Sequence, residues 1–145
     1  MTISNIGIRP ISGALSVEIG GIYLAERMSE QTFLAIRTAL YDNLVIFFRD
    51  QSIMPEQKLD FARSFGPIET HAYAKGLDCI PEILPVVKEA DDSAANFVGI
   101  WHSDVSFHEV PPMGQILCVK EVPDAGGDTI FANMYMAYDA LSDAM

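Results

Sequence analysis

The first legible signal along the chain is alternation. Leu15, Val17 and Ile19 are separated by Ser16 and Glu18, the period-two pattern of a strand with one covered and one wet face, and Gly20-Gly21 ends it. The period then lengthens. From Ser29, a residue type that caps helix N-termini, the run Glu30 to Tyr41 carries Phe33, Ile36 and Leu40 at helical spacing, which predicts a helix with one buried face. Leu44 to Phe48 is continuous and β-rich, as a strand covered on both faces would be, and Arg49-Asp50-Gln51 turns the chain. Pro55 at a first helical position and Gly66 just past the end bracket a second helix, striped by Leu59, Ala62 and Phe65.

Beyond this strand–helix–strand–helix opening the elements are shorter. Ile83 to Val87 reads as an edge strand because of Pro85, and Ala90 to Ala95 as a loop, the kind of segment expected to carry substrate choice. Gln115 to Lys120 predicts another strand, Pro123 to Asp128 a tight turn, and Thr129-Ile130-Phe131 a short strand. Asn133 can cap a last helix whose Met134, Ala137, Tyr138 and Leu141 share a face. The pattern is mainly β with flanking helices, an α+β class, and it contains no internal repeat.

Composition narrows the partners. The 145 residues fit one domain, and half of them are hydrophobic, enough for a core without disulfides. A formal charge of −11 argues against nucleic acid, which needs clustered Lys and Arg. A small substrate, even an anionic one, stays open because local charge can oppose the global sign. Cys79 and Cys118 sit in apolar company without CxxC spacing, so they are expected to be buried free thiols of a reducing compartment. No signal-peptide pattern opens the chain, and the longest strongly apolar run, Leu44 to Phe48, is too short to cross a bilayer. The expectation is a cytoplasmic protein with no membrane partner.

Chemistry concentrates at Trp101-His102-Ser103-Asp104. In an extended segment residues two apart share a face, so the His102 imidazole and the Asp104 carboxylate converge. Two histidines and one carboxylate on one face suit non-haem Fe(II), and this tetrapeptide offers two of those three donors. A lone His-x-Asp is weak evidence, since a solvated or simply hydrogen-bonded pair has the same spacing. The order of motifs is more specific: Trp-His-x-Asp-x-Ser-Phe, then Pro-Pro-x-Gly, then Gly-Gly-Asp-Thr followed by Asn133 and a short amphipathic run. Together they resemble the taurine/2-oxoglutarate dioxygenase (TauD/TfdA) family, and the likeness extends more diffusely over Gly21 to Pro67.

That resemblance implies a double-stranded β-helix (jelly-roll, cupin-like) core, and cofactors Fe(II), 2-oxoglutarate as cosubstrate, and O2. It implies hydroxylation of a small organic substrate, such as a sulfonate, sulfate ester or carboxylate, coupled to decarboxylation of 2-oxoglutarate to succinate and CO2. His102 and Asp104 become metal ligands and Thr129 a hydroxyl that helps to hold 2-oxoglutarate. His71 and Tyr73 fall where the family contacts substrate, Tyr73 with a spacing one residue shorter. Val98 stands where taurine-cleaving members have an asparagine, which suits a less polar substrate. Trp101 is expected to pack, shielding the metal. Family members form oligomers, and nothing in this sequence fixes a number.

The family's second metal histidine and its 2-oxoglutarate-binding arginine lie far downstream and have no counterpart here. His108 shares parity with His102 and Asp104, but six residues of straight strand span about 20 Å, so it would need a turn to join them. A jelly roll needs about eight strands, and this pattern offers three or four. The expectation is therefore the N-terminal part of one such domain over 1–145, with the core incomplete. The alternative is a non-catalytic fragment or binding module that retains weak metal affinity.

Overall fold

A computed structural model describes residues 6–71, 73–88 and 100–143. The chain forms two compact units, one from residues 1–65 with 121–145, the other from 66–120. Among the described residues the first unit holds all the regular elements: β1 (Gly7–Pro10), β2 (Val17–Gly20), α1 (Glu30–Asn43), β3 (Ile46–Phe47), α2 (Pro55–Arg63) and α3 (Met134–Asp139).

The sheet is small and mixed, in the order β1-β2-β3. β1 runs antiparallel to β2 with Ile8 opposite Ile19, and β3 runs parallel to β2 with Val17 opposite Ile46. The predicted alternation appears in β2, where Val17 and Ile19 are buried and Glu18 is only partly covered. The parallel β2–β3 pair requires a crossover, and α1 supplies it. Ser29 caps α1, its Oγ accepting the Thr32 N–H at 3.1 Å. The buried spine of α1 is Thr32, Ile36 and Ala39, so the face is rotated slightly from Phe33–Ile36–Leu40, leaving Phe33 and Leu40 half-buried. Phe33, Phe48, Phe61 and Phe65 complete the core as an edge-to-face chain with ring centroids 4.9 to 5.8 Å apart.

Polar groups fasten the loops around this core. The Gln51 amide donates to the carbonyls of Ile22 at 3.1 Å and Arg49 at 2.8 Å, and its oxygen accepts the Leu24 N–H at 2.8 Å. Tyr23 adds a hydroxyl bond to the Ser52 carbonyl at 2.6 Å. One side chain thus satisfies backbone groups on both sides of a long crossover. On the wet side of the sheet Glu18 lies between Arg9 at 3.0 Å and Arg49 at 3.4 Å.

Several expected elements are not formed. Segments 83–87, 115–120 and 129–131 carry no strand, and β3 keeps only two residues, half-buried, of the expected run 44–48. The described residues are therefore α+β but not mainly β. The reason is that a strand exists only where a neighbour accepts its ladder bonds. Period two persists without one: Ile116 and Cys118 are half-buried while Leu117 and Val119 are 62% and 58% exposed. α3 forms as expected, with Asn133 Oδ1 accepting the Met136 N–H at 3.1 Å, but none of its residues is buried. The thiols are free, yet Cys79 is exposed and Cys118 half-covered, which corrects the expectation of burial. Among the described residues no helix is long and apolar enough to cross a membrane.

In the second unit the segment after Gly76 folds back tightly, Leu77 N–H bonding to the Ile83 carbonyl at 2.9 Å and Ile80 N–H to the Leu77 carbonyl at 3.1 Å. A Cβ on Gly76 would stand 2.0 Å from the Pro81 carbonyl oxygen, so only glycine fits there.

Gln51→Ala strips partners from backbone groups beside the buried Leu24. It should cost about 1–3 kcal/mol, seen as a lower urea midpoint with an unchanged slope. The two guanidinium groups, Arg9 foremost, hold the Glu18 carboxyl below its usual value against a weaker opposing pull from partial desolvation. A depressed folded-state pKa means the contribution is full above the unfolded value and is lost as pH falls through the folded one. The stability gap between wild type and Glu18→Gln should hold steady above about pH 5 and close in more acidic solution; a gap that widens with acid contradicts the ion pairing.

Candidate metal centre

The candidate site belongs to the second unit and is built on a backbone that runs extended and then turns. Trp101 to Ser103 carry no helix or turn, and the chain bends from Asp104. Val105 sits at φ 39°, a left-handed conformation that a β-branched side chain rarely adopts. The turn closes with His108 N–H on the Val105 carbonyl at 3.0 Å, and Ser103 Oγ meets Ser106 Oγ at 2.8 Å across it.

On this frame His102 and Asp104 converge, as their spacing predicts. His102 Nε2 lies 3.4 Å from Asp104 Oδ1, with the side chains 42% and 47% exposed. The other ring nitrogen, Nδ1, lies 2.7 Å from the Ile100 carbonyl oxygen. A carbonyl can only accept, so Nδ1 carries a proton, and whenever the ring is neutral Nε2 presents a lone pair toward the carboxylate. Two acceptors so placed repel unless a proton or a cation lies between them. Ligands at about 2.0–2.2 Å on adjacent positions of a first-row metal are roughly 3 Å apart, so the donors fit such an ion with little adjustment. The second carboxylate oxygen, Oδ2, accepts the Gln115 Nε2–H at 2.5 Å.

The same unit also gathers rings. His71 Nδ1 accepts the Tyr73 N–H at 3.2 Å, with the two rings 6.1 Å apart. Tyr73 also lies 6.5 Å from Phe107 and 6.3 Å from His108, whose own rings are 5.0 Å apart. His71 and Tyr73 are thus brought together, with two further aromatic neighbours that their sequence positions did not foretell. Phe107 was visible as the last residue of the Ser-Phe motif. Gln115 carried no signal, because its contact depends on a turn, and His108 was visible only as a residue of the same parity that needed one. The turn that His108 needed does occur, at 105–108, yet no group of three or more His, Cys, Asp or Glu suited to a metal forms among the described residues.

The remaining expectations divide. Thr129 follows Gly126 and Gly127, at φ 81° and 74°, in the tight turn expected there, and belongs to the first unit. Val98 lies outside the described residues. Trp101 is 70% exposed, so the shielding role expected of it is not what the structure gives.

The family description "Taurine catabolism dioxygenase TauD, TfdA family" matches residues 7–145. The chain belongs to the TauD/TfdA family. The alpha-ketoglutarate-dependent sulfate ester dioxygenase of Pseudomonas putida is 31% identical over 141 residues, which are 97% of this chain and 46% of that protein. The (S)-phenoxypropionate/alpha-ketoglutarate-dioxygenase of Sphingobium herbicidovorans is 31% identical over 138 residues, 94% of this chain and 48% of its own. A taurine dioxygenase-type crystal structure from Burkholderia xenovorans superposes with a TM-score of 0.50 at 29% identity, covering 53% of this chain and 28% of that one. The chain spans about half the length of the curated relatives it matches.

Within this TauD/TfdA segment the sole tryptophan adjoins His102, which makes Trp101 a reporter of that position. Acrylamide should quench its fluorescence nearly as efficiently as it quenches a free tryptophan amide. Strong protection would mean that this side chain is covered in solution.

Proposed function

We propose that this chain is the N-terminal, metal-carrying part of an Fe(II)- and 2-oxoglutarate-dependent dioxygenase domain with a jelly-roll core. The domain hydroxylates a small organic substrate of the sulfonate, sulfate ester or carboxylate class. The observation that carries the reading is the 3.4 Å approach of His102 Nε2 to Asp104 Oδ1, with Nδ1 tied to a carbonyl so that the lone pair is left for a cation. Family membership supports it, and so do relatives that act on a sulfate ester and on phenoxypropionate.

In this reading His102 and Asp104 hold Fe(II). The bound iron supplies the redox chemistry that joins oxidative decarboxylation of 2-oxoglutarate to C–H hydroxylation by O2. Thr129 offers one hydroxyl hydrogen bond to a 2-oxoglutarate carboxylate, orienting it without adding charge. His71 and Tyr73 face the substrate, His71 through its ring and Tyr73 through ring and hydroxyl, and Val98 adds an apolar contact. The exposure of His71 and Tyr73 leaves room for a ligand.

A second reading, a non-catalytic module with weak metal affinity, is favoured by one fact. Among the described residues no third donor joins the pair.

Anaerobic Fe(II) titration followed by Trp101 quenching tests the assignment. His102→Ala and Asp104→Ala should each weaken binding by roughly tenfold or more, the loss of one direct ligand exceeding the usual effect of an outer partner. Equal affinity in wild type and both variants would remove the metal site. Iron-dependent succinate release from 2-oxoglutarate then separates the two readings: steady turnover excludes the binding module, and metal binding with no succinate supports it for this chain alone.

A further inference from the structure

The two carboxylate oxygens of Asp104 have different neighbours. Oδ1 faces His102 Nε2, while Oδ2 accepts the Gln115 amide N–H at 2.5 Å. Gln115 comes from beyond Pro111-Pro112 and Gly114, so this bond joins the segment after the turn back to the candidate ligand. The consequence follows from carboxylate geometry. An unrestrained carboxylate rotates about its Cβ–Cγ bond and can meet a cation with one oxygen or with both. A donor on Oδ2 takes up one of that oxygen's two lone pairs, which disfavours two-oxygen binding, and restrains rotation of the group while Oδ1 faces the histidine. A neutral amide does this without cancelling the charge that attracts the cation, as a lysine or arginine in that place would. Ser103 and Ser106, the other polar pair at the turn, bond to each other.

We propose that Gln115 is a positioning residue for the metal, holding Asp104 as a one-oxygen ligand through Oδ1. The inference rests on His102 and Asp104 being metal ligands, and it adds a residue outside the family's motif set. Partners of this kind orient ligating groups and typically change metal affinity 10- to 100-fold when removed.

The full chain is titrated anaerobically with Fe(II), read by Trp101 quenching, for wild type, Gln115→Met and Gln115→Asn. Methionine keeps the length and loses the N–H; asparagine keeps the amide and falls one methylene short. Both should weaken binding roughly tenfold or more without moving the thermal unfolding of the metal-free chain. The visible absorption of the Co(II)-loaded variants should change shape, because a freed carboxylate alters the number of oxygens around the ion. Unchanged affinity in both variants, with His102→Ala and Asp104→Ala still impaired, overturns the role of Gln115 and leaves the metal site standing. Weaker binding that tracks a lower unfolding temperature, with an unaltered Co(II) spectrum, assigns Gln115 to folding alone and also overturns it. If neither His102→Ala nor Asp104→Ala affects the titration, the metal assignment itself fails and takes the Gln115 role with it.

Discussion

An imidazole nitrogen and a carboxylate oxygen held 3.4 Å apart need positive charge between them, a proton or a cation, to sit so close. Two features of the second unit hold that arrangement. The Ile100 carbonyl decides which ring nitrogen keeps the proton, and without it the ring could turn its N–H toward Asp104 and quench the site as an ordinary hydrogen bond. The turn at 105–108, closed through a valine in a left-handed conformation, bends the chain just past the carboxylate. Backbone strain that persists beside a reactive pair is where a fold spends stability on geometry.

The first unit solves a different problem. A three-stranded sheet with a parallel pair needs a crossover, and here α1 both makes the crossover and covers β2 with Ile36 and Ala39. The chain then returns through irregular backbone whose polar groups would be orphaned if Gln51 did not meet them. Phe61, with Phe65 just past the helix end, ties α2 to the same core through edge-to-face contacts. The packing is hydrophobic in origin, but the loop ends are set by amide and hydroxyl groups.

Elements specified by near neighbours were legible in the residues. The Ser29 and Asn133 caps, Pro55 at a helix start and the alternation of Val17 and Ile19 all appear as read. The His102–Asp104 convergence was legible for the same reason, since it needs only an extended backbone over three residues. What was not legible depends on remote contacts. Tyr73 with Phe107 and His108, Gln115 with Asp104 and Gln51 with Leu24 are all made across turns whose direction no local pattern encodes. The burial of Cys79, read from its apolar flank, failed because flanking residues do not say what covers a turn.

The same division explains why segment 115–120 keeps a strand's exposure pattern without being a strand. Alternate side chains on an extended backbone differ in cover whether or not the backbone is paired, so Ile116 and Cys118 still differ from Leu117 and Val119. Ladder bonds, by contrast, require a second segment at about 4.8 Å, and pairing is a property of the assembled sheet. A catalytic barrel is non-local in this sense, and so is a complete ligand set drawn from several strands. The donor pair is not: its spacing, its tautomer and its turn are written within a few residues. The two-donor geometry therefore needs no closed sheet to form, and a metal affinity resting on it would be separable from catalysis.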